Sequence, residues 1–209
     1  MRRELFRRTI PGAGGSYSVK RTPESEAAAD RQDMAGVASG DEAGLERLYR
    51  RYAARLTGFF WRLGAKGGEI DDLVHESFVR LWRHGRGWRG EGRLSTYLFG
   101  IARSAFLDAR AERGGVETSG PEPSAAAAAR PDQEAQRREL GEHISAAVAG
   151  LAEPLRMVFS MATAGGLKYR EIAGLLGIPV GTVKSRMAAA EEKLRAELSG
   201  YLGMRRDEA

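Results

Sequence analysis

The sequence predicts an all-α protein with two small helical domains joined by a flexible linker. Three observations support this fold class. Apolar residues recur every three or four positions in two blocks, and no stretch alternates convincingly with the period of two typical of strands. Between the blocks lies a segment rich in proline and glycine, which favours a tether. We therefore predict four parts, namely a disordered extension over 1–39, a first domain over 40–113, a linker over 114–137 and a second domain over 138–204.

The extension and the overall composition narrow the possible functions. Residues 1–39 mix Gly, Ser, Ala and charged residues without an apolar period, which indicates disorder. The chain has no cysteine, which excludes disulfide scaffolds and thiolate zinc sites. Its three histidines argue against a histidine-rich metal centre. No apolar run reaches the ~18 residues of a membrane span. With no secretory signal visible, we expect a cytoplasmic protein without membrane contact.

The first block predicts three helices in order. Asp41 is suited to cap the first, whose apolar stripe ends at glycines 64, 67 and 68. The second is expected to begin near Asp71 and Asp72, since acidic residues favour a helix N-terminus. A loop with four glycines follows over 85–93, and Ser95 is expected to cap the third helix.

The second block ends in a pattern typical of a helix-turn-helix. Pro154 favours the first turn of one helix, and a short helix is predicted over 168–176. Gly177 then lies where the turn needs a positive φ, and a long helix is predicted from Val180 to about Tyr201. This arrangement presents the start of the second helix to a DNA major groove. An ordinary helical hairpin is the alternative on this spacing alone.

Four short segments, two in each block, resemble bacterial sigma factors of the extracytoplasmic-function (ECF) group. Residues 71–82 (DDLVHESFVRLW) resemble the family's polymerase-binding helix, and 96–104 (TYLFGIARS) resemble its melting helix. Residues 169–173 (YREIA) and 179–186 (PVGTVKSR) resemble region four. These segments occur in the family's order, and the resemblance covers about 40–113 and 138–202.

The resemblance implies a transcription initiation factor, and no enzyme, with core RNA polymerase and promoter DNA as partners. Region two would bind the clamp of the largest subunit through Asp72, His75 and Glu76, and region four would bind the flap of the second-largest subunit. Family members usually have glutamine in place of His75, so that contact differs here. An anti-sigma factor is a further partner that the family allows. Two alternatives to a polymerase contact remain when the residues are considered without the resemblance. The helix has a solvated acidic face, or Asp72, His75 and Glu76 bind a metal ion.

Region two would also recognise and melt the minus-ten element. Trapping an unstacked base requires a flexible loop with a basic rim and an aromatic face. The glycine-rich loop over 85–93 supplies these parts, and arginines of the following helix can contact the DNA phosphates. The implied minus-ten residues are Trp88, Arg89, Arg93, Tyr97, Arg103, Ser104 and Arg110. Tyr97 and Ser104 replace a usual tryptophan and asparagine. A solvated loop with Trp88 folded into the core is the alternative.

Region four would recognise the minus-thirty-five element from the start of its second helix. Base contacts are expected from Thr182, Lys184, Ser185 and Arg186, and phosphate contacts from Lys168 and Arg170. Downstream, 188–192 (AAAEE) departs from the bulky or basic residues of relatives. Since alanines cannot reach base edges, we expect weaker or narrower recognition there.

Two other classes of function remain to be weighed against a sigma factor. A polymerase-independent helix-turn-helix regulator would bind an operator alone and use the first block for dimerisation. A helical enzyme would need a nucleophile with its base, a phosphate loop or a metal cluster, and the sequence offers none of these patterns. We accordingly expect no catalytic residues, no metal and no cofactor.

Overall fold

The computed structural model describes residues 23–114, 143–144 and 146–207, and every regular element in these ranges is helical. The fold class is therefore confirmed as all-α. The first domain consists of α1 (Pro23–Ser39), α2 (Glu42–Arg62), α3 (Gly68–His84) and α4 (Leu94–Glu112). The second consists of α5 (Glu153–Thr163), α6 (Tyr169–Leu176) and α7 (Val180–Asp207), preceded by helical residues 146–149. The part of the predicted linker beyond Gly114 lies outside the described residues.

Helix α1 corrects the prediction of disorder over 1–39, of which residues 1–22 lie outside the described ranges. It packs along α2 and buries Met34 and Val37. Two carboxylates, Asp30 and Asp33, are also buried on this face. Because the inner face of α1 is half polar, its sequence shows no apolar period.

The buried carboxylates of α1 are paired with basic residues of α2. Arg51 contacts Asp30 Oδ1 at 2.6 Å and Asp33 Oδ2 at 2.7 Å, and Arg47 Nε donates to Asp33 at 2.6 Å. The Tyr52 hydroxyl donates to Asp30 Oδ2 at 2.6 Å. Burial raises the pKa of Tyr52, and the hydrogen bond to Asp30 raises it further. These pairs compensate the cost of burying charge and fix the position of α1.

The helices of the first domain begin close to the predicted positions, with two differences. Asp41 caps α2 as expected, its carboxylate accepting from the Ala43 amide at 3.0 Å. Helix α3 begins at Gly68, three residues before Asp71. Helix α4 begins at Leu94, so Ser95 lies inside the helix and is buried instead of capping it. The glycine-rich segment opens with a single 3₁₀ turn, Gly85–Gly87.

The core of the first domain is formed by aromatic and aliphatic residues from α2, α3 and α4. Phe59, Phe60, Phe78 and Phe99 are fully buried, and the rings of Phe59 and Phe99 meet edge to face with centroids 5.2 Å apart. The buried cluster continues into the second domain through Met161, Leu167 and Ile172, among others. A smaller cluster of Val148, Leu151, Ala190 and Leu194 anchors α7 to the residues before α5. The two domains are therefore packed against each other.

Candidate nucleic-acid and polymerase interface

The turn between α6 and α7 has the geometry that the sequence predicts. Gly177 adopts a left-handed conformation, with φ 64° and ψ 32°, and its amide donates to the Ala173 carbonyl. The Ile178 amide donates to the same carbonyl at 3.1 Å. Ile172 and Val183 are fully buried between the helices. Residues 169–187 thus form a helix-turn-helix whose second helix begins at Val180.

The first turns of α7 present polar side chains to solvent. Lys184 and Ser185 are exposed, and Thr182 and Arg186 are half-buried. The Ser185 hydroxyl donates to the Thr182 carbonyl at 3.1 Å, which leaves its oxygen lone pairs available to accept hydrogen bonds. Lys168 and Arg170 are exposed at the start of α6. Four of the six residues predicted to contact the minus-thirty-five element therefore lie on the first turns of α7, and the other two lie at the start of α6.

Downstream on α7, the short side chains have packing roles. Ala190 is fully buried against Val148 and Leu151, and Met187 is buried in the main core. Alanine at 190 therefore reflects a close approach of two helices, whereas Glu191 and Glu192 are exposed.

The acidic face of α3 contains the residues predicted to contact polymerase. Asp72 is exposed, while His75 and Glu76 are half-buried one turn further along. Glu76 is paired with Arg80 at 2.8 Å, and Arg80 also contacts Asp108 of α4 at 2.6 Å. The spacing of three and four residues places the three side chains on one side of the helix.

The glycine-rich segment and the start of α4 hold the aromatic residues predicted for the minus-ten site. Trp88 is half-buried and packs against the main core, while Arg89 is exposed. Tyr97 is half-buried, and its hydroxyl lies 3.4 Å from the carbonyl of His84, to which it donates. Positive φ values at Gly90 (74°) and Gly92 (96°) let the backbone fold back between Trp88 and α4. One face of the Trp88 side chain is thus fixed by packing.

The remaining residues of the minus-ten set fall into two groups. Ser104 is exposed on α4, and Arg103 is half-buried. Arg93 and Arg110 instead contact the second domain: Arg93 Nη1 donates to the Gly166 carbonyl at 3.1 Å, and Arg110 Nη1 lies 2.7 Å from Glu153. Neither contact could be predicted from the sequence, because each joins residues of two different domains.

Among the described residues, no helix is long and apolar enough to span a membrane, and no group of three or more acidic or histidine side chains is arranged to hold a metal ion. These observations, together with the geometry above, define a two-domain helical protein that carries a helix-turn-helix.

Comparison with known proteins identifies the family. Residues 48–115 match the model of Sigma-70 region 2, and residues 142–194 match the model of Sigma-70, region 4. The chain belongs to the ECF group of RNA polymerase sigma factors. It is a non-catalytic initiation factor that directs RNA polymerase to promoters through regions two and four. We call the first domain region two and the second region four from here on.

Two curated relatives illustrate the similarity. The ECF RNA polymerase sigma factor SigE of Mycolicibacterium smegmatis is 30% identical over 171 residues, covering 78% of this chain and 66% of that protein. This chain thus spans just under two thirds of that relative's length. The ECF RNA polymerase sigma-E factor of Escherichia coli strain K12 is 28% identical over 181 residues, covering 81% of this chain and 94% of that protein.

Two solved structures share the fold. CnrH, determined in complex with the cytosolic domain of CnrY, superposes with a TM-score of 0.61 at 22% identity, covering 82% of this chain and 98% of that one. The sigma factor RpoE of Bartonella quintana, determined with the anti-sigma factor NepR, also gives a TM-score of 0.61 at 22% identity, covering 74% and 96%.

Proposed function

We propose that the two regions of this sigma factor divide promoter recognition between a melting surface and a duplex-binding surface. The observation that carries this proposal is the helix-turn-helix itself. Its left-handed turn at Gly177 leaves Lys184 and Ser185 exposed at the start of α7, where side chains enter a major groove. Thr182 and Arg186 add base contacts, while Lys168 and Arg170 hold flanking phosphates of the minus-thirty-five element.

Region two opens the minus-ten element in this proposal. Trp88 and Arg89 offer a stacking face and a cation to an unstacked base, and Tyr97 supplies a second aromatic ring at the start of α4. Arg93, Arg103 and Arg110 follow the phosphates, and Ser104 contacts a base edge. The packing of Trp88 against the core supports a stacking platform, because a fixed ring loses little entropy when a base stacks on it.

Core polymerase is bound through the acidic face of α3. Asp72, His75 and Glu76 present carboxylates and an imidazole to the clamp of the largest subunit, and region four contacts the flap of the second-largest. Since polymerase and promoter share one compartment, we place the protein in the cytoplasm. By likeness to the two solved complexes, whose partners include an anti-sigma factor, we also propose an anti-sigma partner for this chain.

Reconstituted transcription tests the proposal. Purified protein and core polymerase are incubated with genomic DNA, and transcription start sites are mapped with and without the protein. We expect a set of starts that requires the protein, each preceded by shared minus-ten and minus-thirty-five sequences. If the protein alone binds upstream DNA as tightly as it does with polymerase, and no new starts appear, it is a polymerase-independent regulator.

A further inference from the structure

Helix α1 packs against the first residue of the glycine-rich loop. A Cβ placed on Gly85 would lie 2.9 Å from Val37 Cγ1 and 3.3 Å from Met34 Cε, both in the last two turns of α1. The φ of Gly85 is −58°, which any residue adopts, so its conformation does not require glycine. Because valine is branched at Cβ and stiff in a helix, Cγ1 does not move away easily. Gly85 therefore reflects a close approach of α1 to the loop.

The position of Gly85 determines that of Trp88. The Trp88 amide donates to the Gly85 carbonyl at 3.1 Å and closes the 3₁₀ turn. The Tyr97 hydroxyl donates at 3.4 Å to the carbonyl of His84, the residue before Gly85. Both aromatic residues of the proposed minus-ten surface are thus hydrogen-bonded to the two consecutive residues at which α3 ends and the loop meets α1.

The inner face of α1 has a charged half and an apolar half. Asp30 and Asp33 form the charged half and are both paired with Arg51 of α2, at 2.6 and 2.7 Å. Met34 and Val37 form the apolar half and are 1% and 3% exposed. Apolar contact has no preferred direction and tolerates small shifts of a helix, whereas hydrogen-bonded ion pairs form in only one position. The charged half therefore fixes where the apolar half meets the loop.

Two further contacts hold α1 along its length. A Cβ placed on Gly44 of α2 would lie 2.8 Å from the Asp33 carbonyl oxygen, so the two helices approach closely there. Nearer the start of α1, Glu26 lies 3.0 Å from Nη1 of Arg55, which also donates to the carbonyl of Gly165. Sliding α1 by one turn, about 5.4 Å, would break all these contacts at once. The helix is thus held at one position relative to the loop.

We propose that α1 positions the base-trapping loop, with Met34 and Val37 as positioning residues that set the place of Gly85 and, through it, of Trp88. This inference rests on the proposed role of Trp88 in trapping an unstacked base. Met34 and Val37 are buried, so they act without touching DNA. A gap of about 0.5–1 Å between two surfaces already loses a quarter to a half of their dispersion attraction. A small displacement of Gly85 therefore weakens the stacking of a base on Trp88.

A double-mutant cycle tests the contact between α1 and the loop. Gly85→Ala adds a methyl group that collides with Val37, and Val37→Ala removes the side chain that supports Gly85. We expect each to lower the fraction of open complexes about fivefold on a promoter found by start-site mapping. The double variant should recover to within about twofold of wild type, because the added methyl group fills the space vacated by valine. Fluorescence of 2-aminopurine in the minus-ten non-template strand measures unstacking. A double variant with the summed defect of both single variants overturns the proposal.

A matched core substitution separates positioning from general destabilisation. Val74 of α3 is 3% exposed, like Val37, and lies about 16 Å along the helix axis from Gly85. Val74→Ala removes the same two methyl groups from the same domain, so we expect normal promoter opening. All variants are compared at a temperature at which circular dichroism shows them folded, and their affinity for core polymerase should equal that of wild type. Equal opening defects in Val74→Ala and Val37→Ala would contradict a positioning role.

Fluorine NMR distinguishes failure of this inference from failure of the proposed function. The chain has three tryptophans, so labelling with 5-fluorotryptophan gives three resonances, and Trp88→Phe assigns that of Trp88. We expect Val37→Ala and Gly85→Ala to shift the Trp88 resonance and to leave that of Trp61 unchanged. If Trp88→Ala opens promoters like wild type, the base-trapping role is wrong, whereas the Trp88 resonance still reports whether α1 positions the loop. An unmoved Trp88 resonance in both variants overturns the inference alone.

Discussion

Arg80 of α3 lies 2.6 Å from the carboxylate of Asp108 on α4, and this ion pair joins the acidic face to the helix that bears the minus-ten residues. The same guanidinium contacts Glu76 at 2.8 Å. Hydrogen bonds to both carboxylates raise the pKa of Arg80, so the group stays charged at any pH the protein meets. Glu76 therefore has an internal partner, whereas Asp72 is exposed.

The first prediction concerns polymerase binding. We expect Asp72→Lys to weaken the binding of core polymerase by about tenfold, because it reverses an exposed charge at the proposed contact. Glu76→Lys should weaken it too, while also releasing Arg80. The measurement is a fluorescence titration of labelled sigma factor with core. Asp71→Lys, an exposed neighbour about 100° around the helix, is the control. Wild-type affinity in both variants would mean that this face does not bind core.

The second prediction concerns promoter opening. We expect Trp88→Ala to preserve duplex binding and reduce open complexes, because stacking of one base contributes ~1–3 kcal/mol. Permanganate reactivity of minus-ten thymines measures opening, and a pre-melted template should bypass part of the defect. Trp61→Ala is the control, because Trp61 is a half-buried tryptophan of α2 that lies outside the glycine-rich loop.

Circular dichroism decides between the two roles of Trp88. If Trp88→Ala unfolds region two, the residue is mainly a core residue. If the variant is folded and opens promoters normally, the loop traps no base.

The third prediction concerns the upstream element. We expect Arg186→Ala to lower promoter affinity tenfold or more, since an arginine base contact is worth ~1–3 kcal/mol. Lys184→Ala should act in the same direction. Footprinting of the upstream element gives the affinity, and a pre-melted template should not repair the loss. Arg195→Ala, an exposed arginine further along α7, should have little effect. If both variants lose promoter affinity equally, Arg186 contributes only through its charge and contacts no base.

The fourth prediction concerns pH. Arg113, at the C-terminal end of α4, hydrogen-bonds Glu69 at the start of α3 and thereby lowers the pKa of Glu69. An acid with a lowered pKa stabilises the fold above its unfolded pKa and loses that contribution as the pH falls through its folded pKa. In Arg113→Gln we expect the pKa of Glu69 to rise, as carboxyl NMR would measure. Above about pH 5 the variant should have a smaller free energy of unfolding than the wild type, and this difference should vanish in acid.

The fifth prediction concerns α1. Tyr52→Phe removes the hydrogen bond to buried Asp30 and should lower the free energy of unfolding by about 1–3 kcal/mol. Chemical denaturation monitored by circular dichroism measures it. Tyr49→Phe is the control, because the Tyr49 ring packs on Phe78 while its hydroxyl makes no such bond to α1. An unchanged stability in Tyr52→Phe would mean that the buried network does not hold α1 in place.

The helix-turn-helix could be predicted from the sequence because its determinants are local. Gly177 supplies the left-handed turn, and Ile172 and Val183 supply the small core within eleven residues of each other. The same holds for the apolar stripe of α2 and its cap at Asp41. Each of these patterns depends only on residues that lie close together in the sequence, on one helix or on two consecutive helices.

Other features depend on residues far apart in the chain. Helix α1 is stable because Arg51 of α2 pairs with its buried Asp30 and Asp33, so its own sequence gives no apolar period.

The sequence alone determined the helical class of this protein, the order of its two regions and the family to which they belong, because these follow from local periodicity and from contiguous motifs. Only the tertiary structure decided that two of the proposed minus-ten arginines, Arg93 and Arg110, contact region four. The contact of Arg55 with Gly165 joins residues 110 positions apart. No local pattern specifies such a pair, since the free energy of docking two preformed domains comes from surfaces that the fold must first assemble.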